Sequence, residues 1–535
     1  MCKNHKKIKF FFLIIFVIAV IFMVTPVLSS CNEPEVKNKE ITKTEENPTN
    51  ADVDDANGEA DASSDKNEDA PDILQSMQSI REKVKDDVPD DLDFGGRELR
   101  ILHRGDGNAL YGDGFICILE ITAAEENGDV INDAVYRRNQ AIEEKLNIKI
   151  KPIEMFGADW NESFFGAAQK SVKAGNDDFD LIFGYAALTT QYAMKGIYYN
   201  ARNLPYIDMS KPWWNQNFNQ EFTIEGKQYL LAGDYSLSML SRAYCIYFNR
   251  KYANALNIEN LYDTVLNGDW TLDKISELTK YAYRDLNGNG IKDAGDRFGF
   301  VITGGTYVDN FLFSYDQPIT VMNSEGLPEL AVNTPKMAEI VSKTYDFFYN
   351  NIGTDMRGDE GTELKNLEDF STDNILFLPN TLLKNELLRS AETEYGILPY
   401  PKWDKAQEKY YTGAQDNFSI ISVLATIKDE ELVGAALEAL AAESYRKVTP
   451  AYYEIALKRK YLRDDESAEM LDIISGGLSF NFGGFHSENI NGIRVRLFRQ
   501  LMADKKSDFV SAYDKYEANF QKGLDKVIAA YQKLD

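Results

Sequence analysis

Phe179-Asp180-Leu181-Ile182-Phe183-Gly184-Tyr185 is a short, almost wholly apolar run closed by a glycine and a tyrosine. A run of that length with apolar residues at adjacent positions reads as a strand buried on both faces, because a strand with one wet face would alternate. Phe164 to Ala174 reads as a helix before it, and a second helix is expected near Leu188 to Lys195 after it. The preceding segment repeats the order. Leu99 to Leu102 is a short strand, Asn132 or Asp133 can cap a helix whose Val135, Ile142 and Leu146 share a face, and Ile148 and Ile150 begin another strand. Strands alternating with helices imply an α/β fold with a parallel sheet covered on both sides. Ligands of such sheets sit beyond the carboxyl ends of the strands, where Tyr185 falls.

Past Pro205 the pattern changes. Asp208 to Trp214 leads to a strand-like Lys227 to Leu231, the turn Gly233-Asp234 and a strand at Tyr244 to Phe248, which reads as passage into a second domain. The helix Thr271 to Tyr283 follows, with Leu272, Ile275, Leu278 and Ala282 at helical spacing. Lys336 to Tyr349 reads as helix, Ile375 to Leu378 and Tyr395 to Leu398 as strands. A helical tail begins at Asp429, a cap for Leu432 to Glu443, and runs through Pro450 to Leu457, Ser467 to Ile474 and Phe509 to Leu534.

The other end of the chain is of a different kind. Lys3, Lys6, Lys7 and Lys9 precede an apolar run Phe10 to Val24, and Leu28-Ser29-Ser30-Cys31 follows. This order resembles a bacterial lipoprotein signal peptide with its lipobox. The resemblance implies removal of residues 1–30 and a diacylated Cys31 as membrane anchor; the alternative is an uncleaved anchor that leaves the same domain on the same outer face. Loss of the four lysines takes the formal charge from -27 to about -31. A surface so acidic repels nucleic acid, and no basic cluster interleaved with aromatics speaks for it. Residues 31–95 are poor in apolar side chains and rich in paired acids, so a disordered acidic tether is expected. A short helix within it is expected at Ile73 to Val84. From residue 96 to 535 the composition is globular and too long for one core. Cys117 and Cys245 read as two buried thiols, with a bridge left open.

Several stretches resemble one family: Asn132-Asp133-Ala134-Val135-Tyr136-Arg137-Arg138-Asn139, Asp208 to Trp214, Gly268 to Lys274, Gly396 to Lys402, and Pro450-Ala451-Tyr452-Tyr453 through to Ile474. In order and spacing they are similar to the extracellular solute-binding proteins of ABC importers, the sugar-binding family of maltose-binding protein, especially its Gram-positive lipoproteins. The resemblance implies a two-lobed periplasmic-binding-protein-like (type II) fold with a hinge and an interlobe cleft. It also implies discontinuous lobes, taken here as 96–240 with 374–436 and 241–373 with 437–535. The function implied is capture of a carbohydrate, an oligosaccharide by expectation, by a membrane-anchored, monomeric extracellular receptor that passes it to ABC permease subunits. A surface glycan hydrolase is the alternative, as is the same fold binding a peptide or sensing a ligand.

A sugar cleft needs flat aromatic faces and side chains that satisfy hydroxyls. Position in loops and at strand ends, with the family topology, selects Tyr185, Trp213, Asp234 and Tyr235 in the first lobe; for Trp213 and Trp214 the favoured reading is that one or both pack as interlobe core beneath the crossing. Tyr307, Asn380 and Phe485 are selected from the second. Separately, Asp285 to Asp296 has the spacing of an EF-hand loop: Asp285, Asn287, Asn289, the Ile291 carbonyl, Asp293 and Asp296 are the ligand positions, and Gly290 permits the turn. A structural calcium ion is weighed there against a metal-free Asn/Gly turn. No catalytic residue or cofactor is expected: His103 and His486 form no zinc spacing with the cysteines, and no nucleophile elbow or phosphate loop occurs. A glycosidase carboxylate pair is not settled by counting acids.

Overall fold

The computed structural model describes residues 70–105, 114–155, 162–358, 362–388, 391–461 and 465–534. The leader, Cys31 and the tether up to residue 69 lie outside the described residues. Two main sheets are formed by β1 (Arg97–Arg104), β2 (Ile148–Met155), β3 (Leu181–Tyr185), β4 (Tyr244–Asn249), β5 (Phe298–Thr303), β6 (Thr354–Arg357), β7 (Ile375–Thr381), β8 (Tyr395–Leu398) and β9 (Ser419–Val423). The first has the order β9-β3-β1-β2, with β1, β2 and β3 parallel and β9 antiparallel to β3. The 179–185 run behaves as expected: Leu181, Ile182 and Phe183 are buried between neighbours on both edges. Helix α1 (Val130–Leu146) joins β1 to β2. It starts one turn position earlier than expected, because the Asp129 carboxylate accepts from the amides of Ile131 and Asn132 at 3.0 and 3.1 Å. Helix α2 (Glu162–Lys173) leads into β3 and α3 (Ala186–Ala193) leaves it.

The second sheet has the order β6-β5-β7-β4-β8; β5, β6 and β7 are parallel, and β4 is antiparallel to both of its neighbours. Four of its strands are buried at every residue, which only a sheet covered on both faces produces. Here the expected lobe boundaries are corrected. β7 and β8 pair with β4, Asn380 opposite Cys245 and Ile397 opposite Tyr247, so 375–398 belongs to the second lobe and not the first. The chain returns to the first lobe only at β9. It also stays there longer than expected: α4 (Glu430–Glu443) packs on α1 and β1, and the π-helical segments Ser444–Val448 and Ala451–Tyr461 pack on α1 as well. Helix Asp465–Gly476 then lies on β8, back in the second lobe. Three passages thus join the lobes.

The tether expectation is also corrected from residue 70 onward. Ala70–Arg81 is a helix packed against the 444–461 segment. Arg81 donates to the Tyr445 carbonyl at 3.0 Å, Asp86 pairs with Arg446 at 2.8 Å and with Lys145 at 3.1 Å, and Val88 and Phe94 enter the same core as Leu99 and Ile148. The acids that suggested disorder here find cations, and the few apolar side chains find a face. Cys117 and Cys245 are separate buried thiols, the first accepting from Arg104 Nη2 at 3.1 Å.

Glu438 of α4 fastens the Asp208–Trp214 stretch. Its two oxygens accept from the indole N–H groups of Trp213 and Trp214, each at 3.1 Å, and all three side chains are buried. Burial lifts this carboxyl from the usual 4.5 to about 8, against the pull of the two indoles. Between those values the folded protein keeps a proton that the unfolded chain has shed. The contribution to stability is therefore complete below 4.5 and is lost as pH rises through about 8. Glu438→Gln should flatten the fall of the melting temperature between roughly pH 5 and 8; a slope identical to the unmodified protein's would refute the assignment.

Candidate functional site

Residues at the carboxyl ends of β3, β5 and β6 line one cavity of about 700 Å³ between the lobes. Tyr185, Leu188 and Gln191 come from the end of β3 and from α3; Gln415, Asp416 and Asn417 come from the second passage. The other wall carries Thr306, Met356, Phe485, Arg494, Arg499 and Gln500. The ends of β5 and β6 close tightly at the base of that wall. A Cβ on Gly304 would lie 2.3 Å from the Gly358 carbonyl oxygen, so only glycine fits. Gly305, at φ +81°, turns the chain into α5 (Thr306–Ser314).

A chain of charged side chains crosses the cavity. The Tyr185 hydroxyl donates to Asp416 Oδ1 at 2.9 Å, and Arg494 Nη2 donates to Asp416 Oδ2 at 2.9 Å. Arg494 also reaches Asp309 Oδ2 with Nε at 3.1 Å, and Arg499 binds Asp309 through both Nε, at 3.1 Å, and Nη2. Burial pushes the Asp416 carboxyl up, yet Arg494 and Tyr185 hold it below its ordinary value; the two arginines are raised, burial being outweighed by Asp309 and Asp416. Val495–Arg499 is π-helical, with Gln500 N donating to the Val495 carbonyl. That winding brings residues five apart towards one face, which lets Arg494 and Arg499 share Asp309. Asp416 is fixed from behind. Its neighbour Gln415 accepts from the buried Arg242 at 3.2 Å, and the Asn417 carbonyl accepts from the buried Arg104 at 3.1 Å. The Arg104 guanidinium lies 5.7 Å from the centre of the Tyr185 ring.

Of the residues selected from the sequence, Tyr185 and Phe485 line this cavity. The other ligand-binding selections are corrected. Trp213 is core, bound to Glu438. Tyr235 is fully buried, its hydroxyl on the Leu231 carbonyl and its ring edge-on to Phe183. Asp234 points to Arg81 at 3.7 Å, outside the cavity lining. Tyr307 and Asn380 bond each other at 3.3 Å inside the second lobe, because both side chains project into its core. Asp309, Asp416, Arg494 and Arg499 were not selected. Their chain positions, in a helix, a loop and a π-helix, carry no common motif.

In the Asp285–Asp296 loop the side-chain oxygens turn onto the loop's own amides. Asp285 accepts from Gly288 and Gly290 at 2.7 and 2.9 Å, Asn287 from Asn289 at 2.9 Å, Asn289 from Ile291 at 2.6 Å, and Asp293 from Gly295 at 2.8 Å. Asp296 is buried and accepts from the Tyr283 hydroxyl at 2.8 Å. Arg284 and Arg297 exchange backbone hydrogen bonds at 3.0 and 2.9 Å, joining the two ends of the loop. Among the described residues no group of three or more His, Cys, Asp or Glu side chains is arranged to hold a metal ion.

No family model and no curated protein matches this chain. Solved structures do show likeness. An ABC substrate-binding protein from Listeria monocytogenes in complex with cycloalternan is 15% identical over 74% of this chain and 97% of its own, with a TM-score of 0.47. The maltose/maltodextrin-binding domain of Bdellovibrio bacteriovorus bound to maltotriose is 14% identical over 81% and 100%, with a TM-score of 0.45. The maltose-maltodextrin binding protein of Alicyclobacillus acidocaldarius is 11% identical over 74% and 98%, with a TM-score of 0.48.

Removing Asp309 strands two largely buried guanidiniums, whereas removing an exposed partner costs little. Asp309→Ala should lower the unfolding free energy by about 3 kcal/mol in denaturant titrations. A loss below about 1 kcal/mol, the range of exposed pairs, would show that solvent screens the cluster.

Proposed function

We propose that this protein is a receptor that captures a carbohydrate, an oligosaccharide, between its two lobes and delivers it unchanged to an ABC permease. The cavity carries this reading. It offers amides on Gln191, Gln415, Asn417 and Gln500, an acceptor on Asp416 and donors on Arg494 and Arg499, beside the rings of Tyr185 and Phe485. Hydroxyls that leave water need both donors and acceptors, and the CH faces of sugar rings need flat apolar partners. The acids and arginines neutralise one another, so a polyhydroxylated ligand meets polar groups already oriented. Lobes joined by a few passages suit closure by hinge bending around it.

Anchoring through Cys31, the extracellular setting, the permease and the monomeric state belong to the proposal and rest on residues 1–31 and the family resemblance. Calcium at Asp285–Asp296 likewise rests on the spacing, supported by positive φ at Gly288 and Gly290.

Thermal shift against a glycan panel tests the central claim, since a ligand of the folded state raises the melting point by mass action. Tyr185→Ala and Asp416→Ala should each weaken the binding found by about tenfold or more while the recovered glycan stays intact. Shortened products would assign a hydrolase instead. For the loop, a chelator should lower the melting temperature and added calcium restore it; no change on either addition removes the ion from the account.

A further inference from the structure

A second cavity adjoins the interlobe one at Gln500. It is a groove of about 900 Å³ over the second lobe, between residues 488–507 and helix α6 (Phe509–Tyr531), and Glu488, Val495 and Gln500 line both. The groove is cationic in a chain whose formal charge is -27: Arg496, Lys505, Lys506 and Lys515 line it against Glu488, Asp504 and Asp508. Two of the acids are engaged locally. Asp504 pairs with Lys506 at 3.2 Å, and Asp508 caps α6 by accepting from Ser511 N at 3.0 Å. Among the described residues no carboxylate lies within 4.0 Å of the charged groups of Arg496, Lys505 or Lys515. Instead they stand over rings: Arg496 and Lys515 lie 5.0 and 4.9 Å from the centre of Tyr516, and Lys505 lies 5.5 Å from that of Tyr349. Lys515, then Arg496, hold the Tyr516 hydroxyl below its usual value by hydrogen bonding and by charge.

Resting on the carbohydrate reading of the cleft, we infer that the ligand is an acidic glycan longer than the cleft, whose anionic groups lie along Arg496, Lys505 and Lys515. Adjacency to the cleft favours a glycan over an unconnected anion, because a chain seated on Tyr185 and Phe485 has this groove as its neighbour past Gln500. A surface acidic elsewhere would repel such a ligand, so a local reversal of sign is what its capture requires. Uronate carboxylates and sulfate esters present the same chemistry to these cations.

Calorimetric titration of the protein with galacturonan oligomers, chondroitin sulfate oligomers and maltodextrins of about two to eight units tests this, with the double variant Arg496→Gln, Lys515→Gln in parallel. One of the acidic series should bind at least about tenfold tighter than maltodextrins of equal length, and the preference should weaken as salt rises and narrow about tenfold in the variant. Whichever acidic series binds identifies carboxylate or sulfate. Binding of maltodextrins alone, or a preference that the variant leaves intact, overturns this inference and spares the cleft reading. Binding of none of the three overturns this inference, and the glycan panel then decides the cleft reading by itself. Retention on phosphatidylglycerol vesicles that the variant loses, without preference for acidic oligomers, assigns the groove to lipid headgroups and overturns it too.

Discussion

Two guanidiniums share the carboxylate of Asp309, and one of them reaches on to Asp416 and through it to Tyr185. Charges taken out of water are tolerable only in the company of opposite charge and full hydrogen bonding. That requirement makes the geometry of the cavity strict. Arg494 belongs to the second lobe, Tyr185 to the first, and Asp416 to the passage between them, whose Ala186 and Ala187 partners tie it to the start of α3. Displacing Arg494 takes from Asp416 its cation and displacing Tyr185 takes a hydrogen bond from it, so the relation of the lobes around the cavity is set by electrostatics as well as by packing.

The passages themselves are held by polar groups of the kind that a buried loop must satisfy. Arg104 and Arg242 grip the residues on either side of Asp416 from below, and Glu438 does the equivalent for the Trp213-Trp214 turn. Aromatic packing supplies the remainder: Phe222 and Phe418, from the first-lobe side, meet Phe485 edge-on from the second. One apolar cluster thus runs from the second sheet to one face of the first, while the other face of the first sheet packs on a cluster of its own.

Strands buried on both faces were legible because their residues declare it locally; 179–185, 244–248 and 375–378 all appear where the apolar runs lie. Which sheet a strand joins was not legible. β7 and β8 reach β4 across more than a hundred residues of intervening chain, and nothing in their own sequence names that partner. The site divides the same way. Tyr185 and Phe485 line the cavity, one at a strand end and the other in a glycine loop. Tyr235, Tyr307 and Asn380 satisfied the same rule and turned inward, since a tyrosine hydroxyl or an amide finds a buried partner as readily as a ligand. Arg494 and Arg499 were hidden by periodicity: five residues apart on an α-helix they point about 140° away from each other, and only the π-helical turn brings them together. From residue 70 the expected tether folds, because acidity alone does not forbid folding when Arg446 and Lys145 stand opposite Asp86.

The pairing of two neighbouring indoles with a single carboxyl group has an optical consequence. Trp213 and Trp214 donate to the same acid, whose proton is lost only near pH 8. Indole emission shifts with the charge of a group hydrogen-bonded to its nitrogen, so a good part of the ultraviolet fluorescence of this molecule registers one titration deep in the first lobe. Ionisation of Glu438 therefore belongs to any reading of the light from these two rings, and the buffer must be held fixed when that light is used to follow anything else.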